Sequence, residues 1–490
     1  MTCRNFQENL MREFKPLNPE NVFRFFGEIC RIPHGSGDME KIADYCVGFA
    51  ESRGLRFDRD NSNNVIIYKN GTKGFENSEP VILQGHLDMV CQKTADSDFN
   101  FEIDPISIYV EGDFIKAKGT TLGADNGIAV AMVLSILDSV DISHPPIEAV
   151  FTTDEEIGMI GASRLDMSKL SAKRMVNLDS EEDDVLTVSC AGGMDFNAKA
   201  IAETKVSDGV ALKLTVKGLT GGHSGVEIDK GRVNSNVLAG RILNALKKTA
   251  DFDIVSVFGG DKCNAIPLRT EITVITKDAE QLKSEVLAIE EVIKKEISAR
   301  EPDFNIEISN LSESGKTAFS DSAQHKIIYL LNLVPNGICE MSREIEGLVE
   351  TSLNLGILKA DVNGIYVTHA LRSNKSSAIR ALSDRLSLLY SALGFECETG
   401  GYYPPWEFKE NSALQDAYRD AYSAINGTPV KVEAIHAGLE CAVFADKIKG
   451  LDCIAIGPTL FDVHTVGERM QISSVEKIYK TVTKLLESLK

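Results

Sequence analysis

The chain has little with which to bind a polyanion. Of 490 residues, 52 are Lys or Arg against 72 Asp or Glu. The formal charge of -20 excludes the basic footprint of a nucleic-acid-binding protein and argues against anionic membranes. No stretch approaches the roughly 20 apolar residues that span a bilayer. The opening MTCRNFQENLMREFKPL lacks the apolar core of a secretory signal. These absences lead us to expect a soluble, cytoplasmic protein with neither nucleic acid nor membrane as partner. Ten cysteines, at positions 3, 30, 46, 91, 190, 263, 339, 397, 441 and 453, include no CxxC pair and no dense cluster. A disulfide framework and a cysteine-type zinc site are therefore not expected, and the thiols read as reduced core residues. Any metal must be held by carboxylates and histidines, of which there are only eight.

Apolar material is ample, at 43% of residues, and the length exceeds what one core usually supports. Over residues 1–190 short apolar runs (NVIIYKN, PVILQGH, IEAVFTT, KRMVNLD, DVLTVSC) alternate with helical patterns. That alternation predicts an α/β domain. From 191 to 400 the pattern predicts an inserted α+β domain. It contains strands ALKLTVKGL, IVSVF, TEITVIT and FNIEIS with helices over 232–248 and 278–299, in β-α-β-β-α-β order. A second, similar order follows: helix 322–334, strands near 351–358 and 364–371, helix 376–393 and strand 395–400. The insertion thus reads as a doubled ferredoxin-like unit. Residues 401–490, after GGYYPPWEF, return to helix, strand, helix and are expected to rejoin the first domain.

Four strand-like runs end in residues of chemical interest: His86, the acids Asp154, Glu155 and Glu156, Asp179, and further on His464. Ligands of open α/β sheets collect at carboxyl strand ends, so these endings are expected to converge. Each has a plainer reading when taken alone. His86 and Asp88 form either an exposed histidine with an unrelated acid or a metal ligand with the carboxylate that orients it. Asp125, at a helix start in LGADNGI, is either an N-cap or a carboxylate bridging two cations. Acid runs are usually solvated, yet DEE directly after a buried strand is costly without positive charge nearby. KGLTGGHSGVEID is either a turn with an exposed His223 or a mobile loop that closes on a ligand.

The ordered motifs GHLDMV, GADNGI, TTDEEIGMIGA, NLDSEE, GGHSG, CNAIP, LRSN, HAGLECAVF and IGPT…VHT resemble those of the aminoacyl-histidine (cytosolic nonspecific) dipeptidases. These belong to the di-zinc aminoacylase and carboxypeptidase superfamily, and the resemblance covers essentially the whole chain. It implies a catalytic α/β domain with a mixed central sheet, and a lid formed by the insertion. It implies two zinc ions, with cobalt or manganese as substitutes. One zinc would be bound by His86 and Asp179, the other by Glu156 and His464, with Asp125 bridging. Glu155 would be the general base, Asp88 would orient His86, and the Asp125–Asn126 peptide would be cis. His223, Asn264, Arg372, His436 and Gly438 match positions that handle substrate, His223 as oxyanion donor and Arg372 as clamp for the terminal carboxylate. A short peptide is the implied partner, and a homodimer is compatible with the resemblance. One stretch departs from it: TVGER after His464, where related chains often carry serine and proline. His34 reads as structural or peripheral, and His144, His325 and His369 fall outside the motifs.

The implied reaction is hydrolysis of dipeptides with a free N-terminus, Xaa-His dipeptides included, by a water activated between the cations and deprotonated by Glu155. Two rivals stand beside it: an N-acyl amino acid deacylase or carboxypeptidase on the same core, and a non-catalytic metal-binding protein. A free base beside a full ligand set speaks against the latter. Asp rather than Glu at position 179 resembles the aminopeptidase and dipeptidase branches.

Overall fold

In the computed structural model, which describes residues 17–311 and 317–490, the chain divides into two compact units. One comprises residues up to Ser189 with Phe408–Ala434 and Leu439–Lys490; the other comprises Cys190–Glu407 and Ile435–Gly438. Residues 1–16, with Cys3, lie outside the described residues.

The first unit is an α/β layer structure around an eight-stranded mixed sheet. Its order is Arg56–Arg59, Val65–Lys69, Ile147–Thr152, Val81–His86, Arg174–Asn177, Asp452–Ala455, Val185–Cys190, Lys431–Ile435. The central strands Val81–His86, Ile147–Thr152, Arg174–Asn177 and Asp452–Ala455 run parallel. Their residues are buried on both faces apart from Arg174, which explains why they read as continuous apolar runs rather than alternating ones. Parallel strands put all their carboxyl ends on one edge. The run IAVAMVLSIL belongs to the helix Ala124–Asp138, in which every residue from Asn126 to Leu137 is buried. Such all-round burial marks a core helix. It lies close against the strand Val81–His86 because position 85 is glycine: a Cβ there would come within 2.5 Å of Asn126 Oδ1 and 2.9 Å of Ala129 Cβ.

The second unit is built on a sheet in the order Asn305–Asn310, Val210–Lys217, Thr270–Thr276, Asp253–Gly259, Val349–Asp361, Gly364–Ser373, Gly192–Ala200, Glu396–Tyr403. The first four are the fourth, first, third and second strands of one β-α-β-β-α-β repeat. The last four mirror that arrangement in a second repeat, joined to the first through an antiparallel contact of Asp253–Gly259 with Val349–Asp361. The doubled ferredoxin-like pattern is therefore one continuous sheet. Sequence analysis supplied no first strand for the second repeat. That strand is Gly192–Ala200, which precedes the whole first repeat in the chain, so one repeat is nested inside the other. Its last partner strand runs beyond residue 400, pairing Tyr403 with Gly193.

Within this unit Phe196, Tyr390 and Phe395 pack ring against ring, at 5.5 and 5.3 Å between centroids. His369 joins them with Nε2 2.5 Å from the Tyr390 hydroxyl, and burial pushes its pKa down to about 3. It is a neutral core histidine. Two expectations shift in detail. Among the described cysteines no disulfide occurs, but Cys91 is exposed and Cys263, Cys339 and Cys397 are only half-buried, so not every thiol is a core residue. The helix expected over 232–248 spans Ser235–Leu246, because the Asn234 side chain accepts hydrogen bonds from the Asn236 and Val237 amides and sets its start. No described helix is long and apolar enough to cross a membrane.

Candidate metal centre

The parallel edge of the first unit gathers the chemically interesting residues. His86 ends its strand, and Asp88 lies two residues beyond. Glu155 and Glu156 follow the strand ending at Thr152, and Asp179 follows the strand ending at Asn177. His464 sits nine residues past the strand ending at Ala455, with a positive φ of 62°. Asp125 lies in the first turn of the helix Ala124–Asp138, with non-helical dihedrals and a cis bond to Asn126. It is not the N-cap. Gly123 occupies that position with φ 71°, and no side chain caps there. Asn126 ties this turn to two strands, accepting from the His86 amide at 3.2 Å and donating to the Leu178 carbonyl at 3.0 Å.

Asp125 faces an imidazole with each of its oxygens: Oδ1 is 3.2 Å from His86 Nε2, and Oδ2 is 3.1 Å from His464 Nε2. His86 Nε2 also lies 3.4 Å from Asp179, and His464 Nε2 lies 3.0 Å from Glu156. One donor atom each of His86, Asp125 and Glu156 fall within 4.8 Å of one another. The fields are correspondingly strong. Asp125 and Glu156 hold the His464 imidazole up at about 11. Burial would lower His86, but Asp179, Asp125 and Asp88 raise it well above its usual value. Burial brings Asp179 up to about 6. Two imidazoles and three carboxylates with facing donor atoms are a set that suits divalent cations.

Asp88 does more than the sequence suggested. His86 Nδ1 lies 2.9 Å from the Asp88 carbonyl and 3.4 Å from its carboxylate. That carboxylate accepts the amides of Glu155 at 2.9 Å and Glu156 at 3.2 Å, and the Ser36 hydroxyl at 2.9 Å. One buried acid therefore sets both the histidine ring and the backbone of the two glutamates. Burial, with Asp179, Glu440 and Glu156 adding, raises the Glu155 carboxyl well above the usual range. Asp154, the first of the three acids, points elsewhere and accepts the Gly37 amide at 2.7 Å.

The remaining candidates fall in the second unit. His223 Nδ1 accepts the amides of Gly225 and Val226, both at 3.2 Å, which leaves Nε2 as the protonated nitrogen of a neutral ring. Burial, then Arg372, lowers its pKa. Asn264 is exposed and precedes Ala265, the strand partner of His223. Arg372 donates to the Tyr403 hydroxyl at 2.8 Å, while its buried Nε has no hydrogen-bond partner among the described residues. His436 is buried with Nε2 2.7 Å from Ser352 Oγ, and burial, then Arg372 and His223, lowers it to about 3. Gly438 lies two residues on, half-buried. His34 is a buried structural residue, with Nδ1 2.5 Å from the Ile32 carbonyl.

A sheet edge that crowds acids and imidazoles around one carboxylate, with a free glutamate beside it, belongs to the class of metal-dependent hydrolases. Residues 82–488 match the model of peptidase family M20/M25/M40. Escherichia coli (strain K12) cytosol non-specific dipeptidase is 37% identical over 483 residues, covering 98% of this chain and 99% of that protein. The crystal structure of an aminoacylhistidine dipeptidase from Vibrio alginolyticus superposes with a TM-score of 0.87 at 36% identity, covering 96% of this chain and 97% of that one. An aminopeptidase of Bacillus cereus shares the fold at 15% identity, with a TM-score of 0.57 over 97% of this chain and all of that one. The chain belongs to peptidase family M20/M25/M40, and membership implies divalent-metal binding.

Two buried glutamates were not singled out from sequence. Glu468 lies in the TVGER stretch noted only as a departure. Glu440 lies inside HAGLECAVF, and its composition gives no sign that the side chain turns inward. Glu440 accepts from Gln84 Nε2 and Thr152 Oγ1, both at 2.5 Å, through Oε2; its Oε1 has no partner among the described residues. Burial raises its pKa from 4.5 to about 8. The folded chain thus holds a proton that the unfolded chain releases above about 4.5, so this group makes stability fall as pH rises from there to about 8. Glu440→Gln keeps an acceptor and cannot titrate. In urea unfolding of chelator-treated protein, the stability difference between the variant and the parent should grow in the variant's favour from pH 5 to pH 8; a constant difference would show that Glu440 is ionised in the fold.

Proposed function

We propose that the chain is a cytoplasmic metallo-dipeptidase that hydrolyses dipeptides bearing a free N-terminus, Xaa-His dipeptides among them. The observation that carries the reading is Asp125 with one oxygen toward His86 and the other toward His464, beside the free carboxyl of Glu155. The donors suit two zinc ions, for which cobalt or manganese can substitute: His86 and Asp179 would hold one, Glu156 and His464 the other, and Asp125 both. Bound there, divalent cations supply Lewis acidity toward the scissile carbonyl and make water a competent nucleophile near neutral pH.

The chain's own groups do the rest. Glu155 takes a proton from water and returns it to the departing amine, a transfer suited to a carboxyl that burial makes more basic than an ordinary glutamate. Asp88 holds Glu155 in place through its amide and fixes the ring of His86. His223 donates from Nε2 to the oxyanion, a role open to it because two amides occupy Nδ1. Arg372 pairs with the substrate's terminal carboxylate; its unpartnered Nε and its planar fork suit that anion. Asn264, His436 and Gly438 complete the polar set offered to a short peptide.

The test is a zinc-loaded assay on a free dipeptide, its N-acetyl derivative and its C-terminal amide. The free dipeptide should turn over and the N-acetyl form should not; a preference for the acylated substrate would assign the chain to the deacylases instead. Glu155→Ala should retain bound metal yet lose about 10²- to 10⁴-fold in kcat. A near-native rate would remove it as the base. Arg372→Ala should lower kcat/KM on the free dipeptide by about 10- to 100-fold, the worth of a charge-assisted hydrogen bond. On the amide, which lacks the partner charge, the loss should shrink, and an equal loss on both substrates would take Arg372 out of the site.

A further inference from the structure

Asp125 is not held by its own helix. The turn that carries it, Leu122–Asp125, presents four consecutive backbone amides at the start of the helix Ala124–Asp138, where no intrahelical acceptor exists for them. All four point at one side chain. Glu468 accepts from Leu122 at 2.7 Å and Gly123 at 3.2 Å through Oε2, and from Ala124 at 2.8 Å and Asp125 at 3.4 Å through Oε1. Glu468 is 3% exposed, so these amides stand in for water around its carboxyl.

The position of Glu468 along the chain matters as much as its contacts. It lies four residues beyond His464, at the close of a turn in which the Glu468 amide donates to the Thr465 carbonyl at 3.2 Å and Thr465 Oγ1 donates to the Asp462 carbonyl at 2.7 Å. His464 and Asp462 both adopt positive φ, 62° and 52°, so the turn is tightly specified. The next residues, Arg469–Gln471, enter a small sheet with Phe114–Ala117 and Leu460–Phe461. One carboxylate therefore ties the turn carrying His464 to the turn carrying Asp125, whose facing atoms are 3.1 Å apart.

Gly123 leaves the Asp125 turn no slack on its other side. Its φ of 71° is the left-handed region, and a Cβ there would meet Met89 Sδ at 2.8 Å and His34 Nε2 at 3.3 Å. The turn is wedged against His34 and Met89 and drawn to Glu468.

We propose that Glu468 is a positioning residue of the metal centre, which sets the separation of Asp125 and His464 by binding the backbone of Asp125's turn. This rests on the reading of Asp125 and His464 as metal ligands. A purely structural anchor would alter stability and leave metal affinity alone; a positioning residue acts on affinity, and groups that orient metal ligands typically carry 10- to 100-fold of it.

Glu468→Gln is nearly isosteric, keeps one acceptor oxygen and replaces the other with a donor that opposes the amides. Zinc affinity of parent, Glu468→Gln and Asp125→Ala is measured by competition with a chromophoric chelator, with circular dichroism and thermal melting of each stripped protein alongside. The expected result is that Asp125→Ala loses tight zinc binding and Glu468→Gln weakens the weaker-bound zinc about 10- to 100-fold while retaining the folded spectrum. If Asp125→Ala loses zinc and Glu468→Gln binds it like the parent, whatever its melting temperature, the positioning role is overturned and the Asp125 reading stands. If neither loses zinc, the Asp125 reading falls and the positioning role with it. Should Glu468→Gln not fold, Glu468→Asp, which keeps the charge but cannot span all four amides, carries the same comparison.

Discussion

The constraint around which the first unit is arranged is an excess of carboxylate in a place with little water. Asp125, Glu155, Glu156 and Asp179 sit at one sheet edge with two imidazoles between them, and Glu440 lies buried behind the same strands. Like charges this close disfavour joint ionisation unless cations or dipoles offset them. The parallel strands bring the acids together through their common carboxyl edge. Asp88, Asn126 and Glu468 then hold the backbone of these turns, accepting amides of residues 86, 122–125, 155 and 156 and, from Asn126, donating to the Leu178 carbonyl. Remove the demand for positive charge and this much buried acid has no physical justification.

The second unit has the opposite electrostatic character at its candidate residues. His223 and His436 are held neutral, each lowered by burial and by Arg372. Neutral imidazoles with a fixed tautomer donate hydrogen bonds without adding charge, and the guanidinium beside them is the permanent cation. A set of this kind suits an anion or a developing oxyanion better than a metal ion. The two units thus carry chemically different candidate sets, acids with imidazoles in one and neutral imidazoles with a guanidinium in the other.

Much of this was legible in the sequence, for identifiable reasons. Continuous apolar runs ending in His or acid announced buried strands of an α/β domain, and the helical periods of 278–299 and 376–393 located Ala279–Ile297 and Ser376–Ala392 closely. What escaped depended on contacts remote in the chain. Gly192–Ala200 alternates weakly and pairs with strands more than 150 residues away, so nothing local marked it as the first strand of a repeat. Asp125 had a respectable local explanation as an N-cap, which Gly123 in that position removes, and the imidazoles that face it, His86 and His464, lie 39 and 339 residues away in the chain. Glu440 and Glu468 look like ordinary surface acids in sequence; their burial comes from Gln84 and Thr152 in one case and from the Leu122–Asp125 amides in the other.

The central claim is that this carboxylate cluster is built for a pair of divalent cations bridged by Asp125. Chelator-stripped protein titrated with zinc in an isothermal calorimeter, with bound metal then counted by atomic emission, addresses it directly. The account predicts two equivalents of zinc per chain, with protons released as the imidazoles and carboxyls give up their share to the metal. Saturation at one equivalent, or binding of two that is unchanged in Asp125→Ala, would contradict it.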